Sequence, residues 1–204
     1  MSCAWFVNLW MAVSTMSNVY RPRLSVDGIY EKRYWYSDNI FAQYDYGLPN
    51  CTCYAWGRWF ELLGSRPSGL STGDGGNWYE YNINAGAYAY GSKPKLGAVA
   101  CFASTVGGSG HVAIVEEIHH DGSFVTSNSG YYRPVSTYPP DTPNYFYLSN
   151  HNSTTKLASW MAGRYSFQGF IYIPLDFTAG LPLWLLFVLK RRRESKNGKY
   201  SIFL

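Results

Sequence analysis

Several features are missing from this sequence, and each absence narrows what the chain can be. There is no C-x-x-C pair, and no histidine pair is placed to complete a zinc site. The four cysteines (Cys3, Cys51, Cys53, Cys101) make no disulfide framework. Cys51 and Cys53 stand two apart, so on one helix they point to different sides. No metal and no cofactor is expected. Charge is sparse, at 15% of residues. Much of the net charge of +4 comes from "KRRRESKNGK" at the C-terminus, so the body is near neutral and lacks a nucleic-acid footprint. The sequence shows no internal repeat. The last apolar run, in "AGLPLWLLFVLK", is roughly a dozen residues, short of the ~20 of a spanning helix.

What the chain does have is apolar and aromatic mass. Of its 204 residues, 47% are hydrophobic and 19% aromatic, with 19 Tyr and 8 Trp. That supports one domain with a substantial core. Tyr and Trp cover apolar area while keeping a polar handle, which suits a groove for a chain-like polar ligand. Three segments are expected: an N-terminal extension over 1–34, a catalytic domain over 35–176, and an apolar-then-basic tail over 177–204. Residues 1–16 are apolar but lack the basic start of a secretory signal, and Met16 offers an alternative start. The tail's basic cluster suits a membrane edge or an anionic polymer. It reads equally as a core or interface helix with a solvated basic end.

Residues 17–50 read as irregular, with short extended pieces. The strongest helix follows, with Asn50 as N-cap and Gly64 closing it. Cys51, Ala55, Trp59 and Leu62/Leu63 form its expected buried stripe. Residues 77–90 are ambiguous between a short helix and extended chain. Strands are expected in "AVACFAS", "HVAIVEEI", "SFVTSNSGYY" and "FQGFIYIPL", the middle two as a hairpin about "HHDG". A helix followed by antiparallel strands makes the fold class α+β.

A free thiol has a pKa near 8.5, and a helix N-terminus with a neighbouring His⁺ lowers it to between ~3.5 and ~7.5. Cys51 occupies the first helical position, where unpaired N–H groups and the dipole favour a thiolate. Cys53 lies further in and about 200° round the helix. Cys51 is therefore the better candidate nucleophile, although an inert buried cysteine is the commoner fate. Among four histidines, His119 and His120 fall in an expected turn and His151 in the polar stretch "LSNHNSTT". His111 opens a strand after the "GGSG" loop, where a side chain can face a cleft. If Ile118 pairs with Ser123, His111 falls opposite Gly130, and Asn128 lies one diagonal step away on the same face. Asn128 is then a candidate to hold the imidazole, or simply an edge amide.

These segments together resemble a known family. "NCTCYAWGR" is similar to the nucleophile motif of CHAP domains, the cysteine- and histidine-dependent amidohydrolases/peptidases. "PKLGAVACF", "GHVAIVEEIHHDGSFVTSNSGY" and, more weakly, "GGNWYEY" resemble further segments of that family, over roughly residues 35–175. The resemblance implies a papain-like fold with N-terminal helices packed on an antiparallel sheet. It implies Cys51 as nucleophile, His111 as base and Asn128 as third polar member, where many relatives carry Glu. Asn50, with the Cys51 backbone N–H, would supply the oxyanion donors. Some relatives bind calcium just before the cysteine. Here Asp38 and Asp45 are too sparse for that, so calcium is not expected.

By the same resemblance the protein would cut an amide of peptidoglycan, the muramoyl–L-Ala bond or one in the stem peptide or cross-bridge. It would act outside the cell, as a phage lysin or virion-associated wall hydrolase. Trp56, Trp78, Tyr79, Tyr131 and Tyr132 are candidates to line a groove, with ordinary core and rim packing as the alternative and the stronger reading for Trp56. The alternatives are a non-catalytic wall-binding or virion structural module, and a thiol hydrolase of some other amide.

Overall fold

The computed structural model describes residues 18–25, 33–130 and 146–178. The expectations for residues 1–16, for Tyr131 and Tyr132, and for the tail beyond residue 178 lie outside these. The chain divides into two compact units, and the larger runs from Pro22 to Leu175. The other takes in the two chain ends, where β1 (Asn18–Val19) pairs in parallel with β8 (Phe177–Thr178). There the Tyr20 ring meets Phe177 edge-on at 4.9 Å.

The larger unit is α+β, with helical elements ahead of a six-stranded antiparallel sheet of order β2-β7-β3-β4-β5-β6. Its strands are β2 (Tyr90–Gly91), β3 (Val99–Ser104), β4 (His111–Ile118), β5 (Phe124–Asn128), β6 (Tyr147–His151) and β7 (Tyr165–Ile171). The strand over Tyr147–His151 was not expected, because "YLSNH" is half polar. It forms because β5 is buried on both faces and β6 pairs along its whole length. One sheet face carries Ala100, Phe102, Ala113, Val115 and Phe170 into an apolar core closed by Met161.

Residues 33–43 are more helical than their composition suggests. A π-helical turn, Arg33–Ser37, leads into the short α1 (Ile40–Gln43). Asn39 binds these pieces together. Its oxygen caps α1 at Phe41 N, 3.0 Å away, and its Nδ2 donates to Tyr34 O and Cys53 O.

The main helix, α2, is Cys51–Leu63. Asn50 Oδ1 accepts from the backbone N–H of Thr52 (2.8 Å) and Cys53 (3.1 Å), and Gly64 closes the helix in the left-handed region at φ 66°. The burial is not a stripe. Thr52 through Phe60 are all buried, while Leu62 and Leu63 are only half-buried. The expected single face fails because α2 is covered on several sides. Gly57 is part of the reason: a Cβ there would lie 2.7 Å from Trp35 Nε1. On another side, Trp59 Nε1 donates to Gly97 O at 2.7 Å, ahead of β3.

The ambiguous stretch resolves into a 3₁₀ turn, Gly75–Asn77, and α3 (Trp78–Ala85), with β2 after it. The turn lies against the start of β4. Gly76 N donates to Ser109 O at 2.7 Å, and a Cβ on Gly110 (φ +70°) would run into the Gly76 backbone.

Candidate active site

The leading end of α2 and the first residue of β4 open onto one cavity of about 360 Å³, lined by Asn50, Cys51 and His111 among others. Cys51 is half-buried at the cavity wall. Cys53 is fully buried, its sulfur 3.8 Å from Trp35 O, and burial pushes its thiol up to about 12. Cys101 is buried in β3 and its thiol is likewise pushed up. Of the three described thiols, only Cys51 meets this cavity.

Asn128 stands behind His111. Its Oδ1 lies 3.0 Å from His111 Nε2. Which end of the amide faces the ring is decided by its other contacts. Asn128 Nδ2 donates to the carbonyls of Thr126 (2.9 Å) and Tyr147 (3.3 Å), and carbonyls only accept. Oδ1 must therefore face the imidazole, so Nε2 carries the ring proton and Nδ1 keeps the lone pair. The rings of Trp160 (5.5 Å) and Tyr165 (5.9 Å) pack about His111. Ser149 Oγ accepts from both Trp160 Nε1 (3.0 Å) and Asn128 Nδ2 (3.2 Å), tying the wall of the cavity to the amide.

The electrostatics differ from those expected of a helix N-terminus. Burial dominates and pushes the Cys51 thiol up, and the charge of Asp74 adds to the rise. The backbone N–H groups of Val112, Thr52 and Cys51 oppose it without prevailing. Burial also takes His111 down to about 4, against the opposing hydrogen bond from Asn128. Both shifts favour the uncharged form at neutral pH, a thiol and an imidazole on the walls of one cavity.

The side chain of Asn50 is divided in use. Its oxygen serves Thr52 and Cys53, including the Thr52 hydroxyl at 2.6 Å, so only Nδ2 can donate into the cavity. The remaining sequence candidates lie elsewhere. His119 and His120 are exposed in the turn after β4. His151 is not in a polar loop: it is fully buried at the end of β6, stacked on Phe124 at 4.7 Å, with Nε2 3.0 Å from Thr126 Oγ1. Asp38 pairs with Arg33 (3.2 Å) and Arg66 (3.5 Å). Among the described residues no group of three or more His, Cys, Asp or Glu could hold a metal ion.

The expected aromatic lining is corrected. Trp56 is buried in the packing, in line with the stronger reading for it, whereas Trp78 is also buried and Tyr79 packs on Tyr90. The cavity is lined instead by Tyr46, Tyr147, Trp160 and Tyr165. Three of these come from segments after β5, which sequence spacing alone could not bring to α2.

Residues 39–130 match the family model of the CHAP domain. This segment is similar to CHAP domains. It contains Asn50, Cys51, His111 and Asn128. Over 110 residues, 54% of this chain, the sequence is 31% identical to a protein of Staphylococcus aureus (strain NCTC 8325 / PS 47) named "Probable autolysin LDP", covering 36% of it. A crystal structure of N-acetylmuramoyl-L-alanine amidase from Staphylococcus aureus is similar at 25% identity and a TM-score of 0.37, over 58% of this chain and 30% of that one. The chain thus spans about a third of the length of these relatives.

Proposed function

We propose that the CHAP-like domain hydrolyses an amide bond of bacterial peptidoglycan through a cysteine nucleophile, as an N-acetylmuramoyl-L-alanine amidase or a stem-peptide or cross-bridge endopeptidase. The observation that carries this is the shared cavity of Cys51 and His111 with Asn128 fixing the ring behind it. The family match and the autolysin relative support the wall as substrate and the cell exterior as the place of action. The setting as a phage lysin or virion-associated hydrolase rests on the sequence resemblance alone.

The chemistry follows from the resting charges. His111 Nδ1 takes the proton from Cys51 Sγ as the sulfur adds to the amide carbonyl carbon. Charge is thereby created only when substrate is seated. The carbonyl oxygen becomes an oxyanion, which Asn50 Nδ2 and the Cys51 backbone N–H receive. Collapse breaks the C–N bond, and the proton on His111 leaves with the amine. Water then adds to the thioester, giving its proton to His111, and releases the acid and the thiol. Asn128 keeps Nε2 protonated throughout, so that Nδ1 remains the working nitrogen.

The test is release of soluble fragments from purified walls, with mass spectrometry of the new ends to name the bond. Cys51→Ala is expected to lower the rate by at least about 10³-fold. Undiminished release would remove Cys51 from the mechanism. A second reading, a wall-binding module that keeps the fold, is favoured by the uncharged rest state of the pair, which an inert module would also hold. Wall binding by the intact protein with no soluble product would support it.

A further inference from the structure

Among the described residues lining the Cys51 cavity, Asp74 is the one acid, and it is exposed to solvent. It precedes the 3₁₀ turn at Gly75 but its side chain does not cap it. Its carboxylate makes no hydrogen bond or ion pair with the described residues. Its charge raises the cost of ionising Cys51. An uncompensated carboxylate at this place therefore works against the first step of the reaction. A positive charge supplied from outside would reverse that effect.

The walls suit such a charge. Tyr46, Tyr147, Trp160 and Tyr165 line the same cavity, and aromatic faces attract ammonium groups. Beyond Tyr46 the surface continues into a second cavity of about 420 Å³ lined by Ile40, Phe41, Tyr44 and Thr72, with no charged side chain. The two halves of the groove thus differ: one carries a lone carboxylate, the other is uncharged. We propose that Asp74 and the rings lining the same cavity form a subsite for a protonated primary amine carried by the substrate close to the scissile amide. This rests on the hydrolase reading above and adds to it a chemical class of substrate, an amine-bearing peptide. An ammonium seated there neutralises Asp74, so the Cys51 proton is given up more readily when the right substrate is bound.

Two experiments with the full-length chain test this. The first needs no turnover. Cys51 is modified with methanethiosulfonate reagents of opposite charge, aminoethyl (cationic) and sulfonatoethyl (anionic), and the Cys51 peptide is followed by mass spectrometry. The cationic reagent is expected to be favoured about three- to tenfold over the ratio shown by a small free thiol. Asp74→Asn should abolish that preference and Asp74→Glu should retain part of it. The same ratio in wild type and Asp74→Asn would overturn the proposal. The second compares walls with native amines against walls whose amines have been acetylated. Wild type should release fragments about three- to tenfold faster from native walls, and Asp74→Asn should show little preference. Equal rates on both walls for wild type would overturn the proposal. No release from either, with the reagent preference intact, would sink the hydrolase reading and uphold the subsite. Unchanged circular dichroism and melting of Asp74→Asn would separate either result from misfolding.

Discussion

Asn50 performs two tasks with two different atoms, and substitution can separate them. Its oxygen caps α2, and its nitrogen is the proposed oxyanion donor. Asp caps a helix about as well as Asn but brings no amide donor. Asn50→Asp should therefore keep most of the stability while lowering kcat about 10²-fold or more. Asn50→Ala should lose the cap as well, costing about 1 kcal/mol in chemical denaturation. Equal loss of kcat and stability in both variants would deny the division. Asn128→Ala should slow release by roughly tenfold to a hundredfold, since Nε2 then loses its partner and the working tautomer is no longer fixed. The rest state of Cys51 is open to direct measurement. Because burial raises its pKa, alkylation by iodoacetamide should be slow at pH 7 and still rising past pH 9. A plateau below pH 8 would show a preformed thiolate.

At the scale of elements, the meeting of His111 with Asn128 depends on one residue that pairs with nothing across the ladder. Near the turn Ile118 pairs with Phe124 and Glu117 with Val125. Farther along, Val115 pairs with Thr126 and Ile114 with Ser127. The register shifts at Glu116, which forms a β-bulge. Without it, Asn128 would point to the face opposite His111, because a one-residue slip reverses every side chain. Glu116 is held by Arg58 of α2, with both nitrogens at 3.1 Å, by Ser127 Oγ at 2.7 Å and by Arg23 N at 2.8 Å. The helix that carries Cys51 thus anchors the bulge that aligns the other two groups. Glu116→Gln should cost about 3 kcal/mol in urea unfolding and lower activity further than stability alone explains, by disturbing that register. Retained activity at full stability would contradict this. The four-residue turn expected from the sequence pairs Ile118 with Ser123 and puts Asn128 on the correct face, but Ile118 pairs with Phe124 instead. The actual turn is one residue longer and the bulge restores the difference. Alternating strands, the caps of α2 and the Cys51–His111–Asn128 set were legible because each follows from local periodicity or a local motif. The bulge, β6 and the aromatic lining were not, because each is decided by a buried partner far away in the chain. The carboxylate of Glu116 looks like any strand-end acid until Arg58 is placed beneath it.

For the molecule as a whole, two buried histidines set the response to acid. His111 and His151 are both lowered to about 4, in each case chiefly by burial, with the charge of His111 also disfavouring that of His151. Unfolded, each would titrate near 6.5. Between those values the unfolded chain binds more protons than the folded one, so stability must rise with pH across pH 4 to 6.5 and fall as pH drops through that window. The loss should amount to a few kcal/mol, read as a lower urea midpoint at pH 4.5 than at pH 7. His151→Gln should flatten that limb at the expense of its stacking on Phe124. A midpoint independent of pH in this range would refute the assignment. The resting thiol has a last consequence. Peroxide attacks thiolates, and its reach is set by ionisation and exposure. A sulfur held protonated is a poor target for oxidants, so Cys51 should survive storage in air without a reductant to restore it.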